Sequence, residues 1–351
     1  MISERENHLR ALEFRHPEWV PCTMSLSPAI WHRHREALEQ VCLDHPLLFP
    51  GFEKGSVEFD DFAPVYRAGE YFRDNWGCLW YNQFPGLEGQ VVEHPLADWD
   101  VLETYHPPDF LTHTERGERD WEAERTAAEN NRRRGELVSG SAERLFDRLY
   151  FLRGFEALMM DFATDDSRLP RLIGMLWEHQ RGLVNQWLAI GVDAVAFHTD
   201  IGTQQGLMIS PAQFRQYLKP MFKDLFTTCR RAGAHVNLSS DGRLLEIVDD
   251  LVECGVSVHD PQVRANTLEG IERCYKGKLC IRLDLDRQMF AFCTPQDIRD
   301  QIQEALDRLY LPEGGLMLMA AVYDDITPLE NIEALVETME ELCLRPGMTA
   351  A

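Results

Sequence analysis

The C-terminal two-thirds of the chain alternates between short apolar runs and longer amphipathic stretches. The apolar runs after residue 136 are Leu137–Ser141, Asp193–His198, Ala234–Ser240, Val256–Asp260, Leu279–Asp286 and Leu316–Ala321, and one weaker run precedes them at Val20–Leu26. Stretches of helical spacing lie between them at Pro170–Gly191, Pro211–Gly233, Gly242–Gly255 and Thr294–Tyr310. Near-continuously apolar strands that alternate with helices predict a parallel sheet covered by helices.

The number of strands favours a closed sheet. The apolar runs give seven strands, and we expect an eighth around Asn75–Trp80. Eight strand–helix units form a (β/α)8 TIM barrel, whereas an open doubly wound sheet is the alternative. No G-x-G-x-x-G follows the first strand and no Walker A loop is present, which weakens the nucleotide-binding form of that alternative. The prediction is an α/β barrel as a single domain over residues 1–351.

Residues 27–135 do not follow the alternation. They include Asp74–Gly89 and His94–Asp109, which are rich in aromatic residues, proline and glycine. A segment this long and aromatic is unlike a disordered linker, so we expect insertions and helices that cover the C-terminal face of the barrel. Within this region, the charged run Thr112–Arg134 predicts a solvated helix.

Composition narrows the class of protein. Nine scattered cysteines without a C-x-x-C pair suit free thiols in a reducing compartment, and with no secretory signal at the N-terminus they predict a cytoplasmic protein. No stretch approaches the roughly 20 apolar residues of a membrane span. The formal charge of −23 argues against nucleic acid and anionic membranes as partners. An acidic surface promotes solubility, and recognition of a basic partner protein is the alternative.

Polar residues gather where four successive predicted strands end. In a parallel barrel these ends form the active-site face, and polar groups there are costly unless they pair with one another or with a ligand. The candidates are His198, Asp200, Gln204, Asn237, Ser239, Asp241, His259, Asp260, Gln262, Asp284, Asp286 and Gln288.

Several candidates also have a purely structural interpretation. Asp241 precedes Gly242 and a predicted helix, so it could be an N-cap. Asp200 and Asp260 could form turns. His259 could be a hydrogen-bonded core histidine, and Asp286 an N-cap in a loop. The functional interpretation rests on the recurrence of polar residues at four strand ends.

The same region carries a family resemblance. Ala194–Pro220 is similar to a strand, a "D-D-x-G-T-Q" loop and "S-P-x-x-F/Y-R-x-x-x-x-P", and Gly233–Gln262 is similar to "H-S-D/C-G" followed by a helix and strand. Gly277–Ile302 and Pro328–Glu341 extend the match, and Asp74–Trp80 matches loosely. The chain therefore resembles the superfamily of uroporphyrinogen decarboxylases and corrinoid methyltransferases, whose members are (β/α)8 barrels.

Departures from the family pattern narrow the reaction that the resemblance implies. The decarboxylases carry an "R-Q-A-G-R" segment for the substrate's carboxylates; here Ser25–Glu39 holds Arg33 and Arg35 without that motif. Zinc-dependent, thiol-methylating members use His-x-Cys and a later Cys, where this chain has Ser239, Asp241 and the pair Ala320–Ala321. His198, His235 and His259 lack the spacing to replace them, so no metal is expected.

The resemblance then implies a methyltransferase that moves a methyl group between a corrinoid (cobalamin) protein and tetrahydrofolate without zinc. Carboxylates and carboxamides suit the proton transfer and hydrogen bonding that a pterin needs. We assign catalysis to Asp200, Asn237 and Asp241, and binding to His198, Gln204, Ser239, His259, Asp260, Gln262, Asp284, Asn75 and Trp76. The alternatives are a decarboxylase or lyase acting on a small organic acid, and a catalytically silent barrel. A homodimer is left open.

Overall fold

The computed structural model describes residues 2–344 and contains one curled parallel sheet. Its seven strands run in the order β1-β10-β9-β8-β7-β6-β5, and every neighbouring pair is parallel. The strands of the sheet are β1 (Cys22–Leu26), β5 (Ser139–Arg144), β6 (Ala194–His198), β7 (His235–Ser239), β8 (Val258–His259), β9 (Cys280–Asp284) and β10 (Leu316–Val322). All seven coincide with predicted apolar runs, so the TIM-barrel-like α/β architecture is confirmed.

Helices occupy the connections, and several begin with the side-chain caps that the sequence offers. Ser27 caps α2 ahead of a proline in its first turn, and Thr294 forms a reciprocal capping box with Asp297 at the start of α12. The helices are α1 (Glu4–Leu12), α2 (Pro28–Asp44), α3 (Trp121–Arg134), α4 (Phe146–Arg153), α5 (Phe155–Thr164), α6 (Leu169–Ile190), α7 (Pro211–Gln213), α8 (Lys219–Arg231), α9 (Val248–Cys254), α10 (Val263–Asn266), α11 (Leu268–Tyr275), α12 (Pro295–Leu309) and α13 (Leu329–Met339). A π-helical turn, Phe214–Leu218, joins α7 to α8.

The eighth strand expected at Asn75–Trp80 was wrong. That segment contributes to a separate antiparallel sheet of β2 (Tyr71–Arg73), β3 (Leu79–Tyr81) and β4 (Gln90–Glu93). Only residues 74–78 separate β2 from β3, and they form a turn in which Asp74 Oδ1 accepts the Cys78 N–H at 2.8 Å. A parallel strand needs a long crossover, so this short connection dictates a hairpin. In the part of the chain that the structure describes, β1 and β5 are therefore the two edge strands of the parallel sheet, and they do not pair with each other.

The predicted helix over Gly242–Gly255 is also too long, because only Val248–Cys254 is helical. Gly242 has a φ of +87°, and a Cβ there would collide with the Gly202 backbone. The side chains of Gln262 and Asn266 accept the backbone N–H groups of Gly242 and Leu244 at 2.9 and 3.1 Å. Side chains from the following connection thus replace the first helical turn.

Only the second half of the charged run Thr112–Arg134 is helical. Asp120 caps α3 by accepting the N–H groups of Glu122 and Ala123. Of the helix's fourteen residues, only Ala128 is buried. The prediction of a solvated helix is therefore correct for α3 and wrong for residues 112–120.

The alternation of side chains along β6 shows which residues face the interior of the sheet. Phe197 packs against Phe226 of α8 with ring centroids 4.8 Å apart, so it faces the helices. Its neighbours Ala196 and His198 face the opposite way, into the barrel. Across the sheet, Ala196 pairs with Asn237 and His198 with Ser239, which places those two side chains in the interior as well.

The N-terminal helix closes one end of the barrel. Ala11 and Leu12 of α1 form a buried cluster with Val258, Cys280 and Met317 of β8, β9 and β10. The opposite end, where the strands finish, therefore remains as the mouth. All nine cysteines are free. No helix among residues 2–344 is long and apolar enough to cross a membrane.

Candidate active site at the barrel mouth

The mouth of the barrel gathers polar side chains from the ends of β6 to β9, and we call Asp200, Asn237, Ser239, Asp241, Asp260, Gln262 and Asp284 the mouth cluster. Within it, Asp260 is buried and fully partnered. Its oxygens accept hydrogen bonds from the Ser239 hydroxyl, from the Ser240 N–H at 3.1 Å and from Arg282 Nη2 at 3.1 Å. Three donors therefore hold the Asp260 carboxylate in place, so its side chain is not merely that of a turn former.

Asp241 links three elements of the mouth. Its oxygens accept hydrogen bonds from Arg287 Nη2 at 2.7 Å and Gln262 Nε2 at 2.9 Å, and its own N–H donates to Asp200 Oδ1 at 3.1 Å. Partial burial raises the pKa of Asp241; the nearby Asp200 carboxylate adds to this rise, whereas Arg287 opposes it. Since α9 begins only at Val248, the N-cap interpretation of Asp241 is wrong.

Asp284 is a second buried acid of the mouth cluster. Its side chain is 3% exposed, and Arg287 Nη1 lies 3.7 Å from Oδ2, whereas Oδ1 has no hydrogen-bond partner among the described residues. Burial raises its pKa to about 7; Asp260 and Asp241 raise it further, and Arg287 opposes them. A carboxyl with this pKa can donate or accept a proton near neutral pH.

Three other predicted residues lie at the mouth. Asn237 Oδ1 is buried and, within residues 2–344, has no hydrogen-bond donor. Gln204 and Gln288 line a small crevice of about 10 Å³ together with Gln262 and Asp284. This volume is enough for about one water molecule. The structure thus brings together most of the predicted residues, and it leaves unsatisfied acceptors among them.

Two other predicted residues, His259 and Asp286, make their contacts outside the mouth cluster, although Asp286 lines the same small crevice as Gln262 and Asp284. His259 faces the helices, where its ring stacks on Tyr275 of α11 at 5.5 Å, and burial lowers its pKa to about 4. It is a core histidine, as the structural interpretation held, but neither ring nitrogen has a hydrogen-bond partner in the described chain. Asp286 is not an N-cap; it forms an ion pair with Arg264 at 2.8 Å. A ligand-binding role for His259 stays a prediction.

The two residues predicted from the insertion make structural contacts. Asn75 Nδ2 donates to the carbonyl oxygens of Thr114 and Gly117 at 2.9 and 3.0 Å, so it anchors a loop. Trp76 is 1% exposed, and its Nε1 donates to Glu143 Oε2 at 2.6 Å. Their binding roles stay predictions, and neither residue contacts the mouth cluster.

A buried ion cluster beside β5 was missed. Arg148 is fully buried; it lies 3.2 Å from both Asp74 Oδ2 and Glu115 Oε1, and its guanidinium stacks over Trp76 at 4.8 Å. Burial raises the pKa of the neighbouring Asp147 to about 7, against the opposing effect of Arg144. The sequence did contain an indication of this cluster, because β5, like the four strands used for the prediction, ends in polar residues, Glu143 and Arg144.

A cavity of about 500 Å³ lies along the edge strand β5, and we call it the seam cavity. The loop that precedes α3 and the first turn of α3 form its other wall. Its lining includes Thr114, Glu115, Arg119, Glu124, Ser139, Ser141, Glu143, Arg144, Trp187 and His198. His198 is exposed and ends β6 opposite Ser239, so it marks the point where the cavity meets the mouth cluster.

The positions that correspond to the family's zinc ligands do not fit a metal. Ser239 donates to Asp260, Asp241 is held by Arg287, and Ala320 and Ala321 offer no ligand atom. Within residues 2–344, no group of three or more His, Cys, Asp or Glu side chains is arranged to hold a metal ion. A hydroxyl, a paired carboxylate and two methyl groups thus stand where the zinc-dependent members have an imidazole and thiolates.

Comparison with known proteins identifies the family. The model of the uroporphyrinogen decarboxylase (URO-D) family matches residues 84–342, which is most of the chain. The chain belongs to the URO-D family. No curated protein sequence matches it. Among solved structures, a methyltransferase from Methanosarcina mazei is similar with a TM-score of 0.65 and 18% identity, over 97% of this chain and 99% of that one.

Other solved structures are much less similar. A D-psicose 3-epimerase aligns with a TM-score of 0.39 and 8% identity, over 64% of this chain and 84% of its own. A dihydropteroate synthase from Burkholderia cenocepacia aligns with a TM-score of 0.27 and 10% identity, over 52% and 57%. Scores this low carry no functional inference. The URO-D match and the M. mazei structure together establish a TIM-barrel-like fold, as the sequence resemblance predicted.

Proposed function

We propose that this URO-D family protein is a methyltransferase that moves a methyl group between a corrinoid-carrying protein and tetrahydrofolate. The observation that carries the proposal is Asp284, a buried acid at the mouth with an unpartnered oxygen and a pKa of about 7. The similar M. mazei structure bears the name methyltransferase, which supports the general class of reaction.

A methyl group bound to a pterin ring nitrogen departs more readily when that nitrogen takes up a proton. Asp284 can supply this proton near neutral pH, and in the reverse direction it accepts the proton that the nitrogen loses. The corrinoid of the partner protein supplies the cobalt that exchanges the methyl group. Burial of Asp284 favours its protonated form. The nearby Arg287 stabilises the carboxylate that remains once the proton has left.

The remaining mouth residues suit the amide edge of a pterin. That edge presents N–H donors, and Asn237 Oδ1 is an acceptor without a donor in the described part of the protein. Asp241 is held in place by Arg287 and Gln262, so its carboxylate is pre-oriented. The chain has a formal charge of −23 and would repel an acidic partner, so we expect the docking face of the corrinoid protein to be basic.

The test is incubation of the purified protein with methylcobalamin and tetrahydrofolate while the cobalamin spectrum is followed, with and without a cognate corrinoid protein. In this direction Asp284 accepts the proton that the pterin nitrogen loses, so Asp284→Asn should slow demethylation by about 100-fold or more, the usual contribution of a general base. Asp286→Asn is the control for loss of a neighbouring carboxylate, since Asp286 lines the same crevice but pairs with Arg264. Demethylation no faster than background with the wild-type protein would exclude the proposal.

A further inference from the structure

The seam cavity contains an arginine on which two carboxylates, Glu143 and Glu124, act only from beyond ion-pair distance. Arg119 has no carboxylate oxygen within 4 Å in residues 2–344, and its buried Nε lacks an acceptor. Its guanidinium lies over Trp121 at 4.9 Å and Trp187 at 6.0 Å, which fixes its orientation. The other arginine of the lining, Arg144, pairs with three carboxylates. In a chain with 58 acidic residues, an oriented guanidinium left without a carboxylate is available to a ligand.

The cavity also contains an acceptor with no donor. Glu143 is 7% exposed, and its Oε2 accepts the Trp76 indole N–H at 2.6 Å. Its Oε1 has no hydrogen-bond partner within the described residues. Burial raises the pKa of Glu143, and Arg148 opposes this rise more strongly than Arg119 does. Glu143 and Arg119 both line the seam cavity. An unsatisfied buried oxygen is costly, and a ligand that brings an N–H or O–H would remove the cost.

We propose that the seam cavity binds a small carboxylic acid that also carries a hydroxyl or amino group. The ligand's carboxylate pairs with Arg119, and its hydroxyl or amino group donates to Glu143 Oε1. A cavity of about 500 Å³ has room for such a molecule, and Ser139 and Ser141 of β5 also line it. The site does not depend on methyl transfer, so its test is a binding measurement.

The experiment compares three probes with the same carbon skeleton: propionate, lactate and alanine. They differ only in whether a hydrogen, a hydroxyl or an ammonium group stands beside the carboxylate. Ligand-detected NMR titration of the purified protein should show saturable binding, with lactate or alanine tighter than propionate. Arg119→Gln should weaken binding of all three by about tenfold or more, as expected for the loss of a charged hydrogen bond.

Glu143→Gln tests the second contact. The amide oxygen can still accept the Trp76 N–H, which turns the amide N–H₂ toward the cavity. The ammonium group of alanine has no acceptor and would then face a donor, so alanine should bind no tighter than propionate; the lactate hydroxyl can accept from the amide and keep part of its advantage. Propionate itself should keep its wild-type affinity within about twofold.

Arg125→Gln is the control for the loss of one positive charge from the same segment, because Arg125 is half-exposed, pairs with Glu122 and does not line the cavity. Arg119→Lys keeps the positive charge but lacks the guanidinium, so it shows which of the two the ligand requires. Unfolding curves of each variant show whether it is folded. The proposal is overturned if none of the three probes binds saturably, or if Arg119→Gln binds them as tightly as Arg125→Gln.

Discussion

The protonation of Asp284 should be visible in the stability of the protein. Its pKa rises from an ordinary 3.8 to about 7 on folding. The folded state therefore binds more protons than the unfolded state between these values, and the free energy of unfolding falls as pH rises through this window. Each pKa unit is worth about 1.4 kcal/mol, so the loss between pH 4 and pH 8 is about 4 kcal/mol.

Asp284→Asn removes this pH dependence while it keeps the size of the side chain. Relative to wild type, the variant should become more stable as pH rises, with a difference between pH 5 and pH 8 of about 2–3 kcal/mol, since part of the window lies below pH 5. Urea unfolding followed by tryptophan fluorescence at both pH values measures it. The Asp286→Asn variant gives the baseline for removal of a nearby carboxylate from the same connection.

A difference between Asp284→Asn and wild type that is the same at pH 5 and pH 8 would refute the reasoning. It would mean that Asp284 is ionised throughout this range. The proton assigned to the methyl-transfer step would then have to come from another group of the mouth cluster.

Two further predictions concern packing. Arg148→Met should destabilise the protein by about 3–5 kcal/mol, because it leaves buried carboxylates without their cation, whereas exposed Arg133→Met should change the free energy of unfolding by less than about 0.5 kcal/mol. Gly140→Ala should lower the melting temperature, since its Cβ would collide with the Trp187 ring, whereas Gly174→Ala, with open space around its Cβ within α6, should be neutral or stabilising by up to about 1 kcal/mol. A thermal melt of each pair checks both; equal melting temperatures within a pair would contradict the packing described.

The sequence alone was enough for the seven parallel strands and for the polar mouth. Each strand of the sheet is a local apolar run of the right length, so neighbouring residues determine it. Alternation along such a run also determines which side chains share a face, and the ends of parallel strands must meet at one end of the barrel. Asp200, Asn237, Asp241, Asp260 and Asp284 could therefore be predicted together before their contacts were known.

The tertiary structure decided what those side chains do. The N-cap interpretation of Asp241 was reasonable from its neighbours, but Gln262 and Asn266 displace the first helical turn, and Arg287 takes the carboxylate. His259 ends its strand as the mouth residues do, yet it faces the helices because its side of β8 points outward. Such outcomes depend on partners far away in the sequence.

The gap between the edge strands β1 and β5 also separates what the sequence determines from what the tertiary structure determines. The segment Asn75–Trp80 was predicted as a strand of the barrel, but only its last two residues lie in a strand, β3, which belongs to the antiparallel sheet. Whether a strand joins a parallel barrel or a hairpin depends on the length of its connection and on the partner it reaches. Burial of a cation such as Arg148, the pKa of Asp284 and the unpaired charge of Arg119 depend likewise on the complete surroundings of each group, because desolvation and pairing are properties of the packed structure.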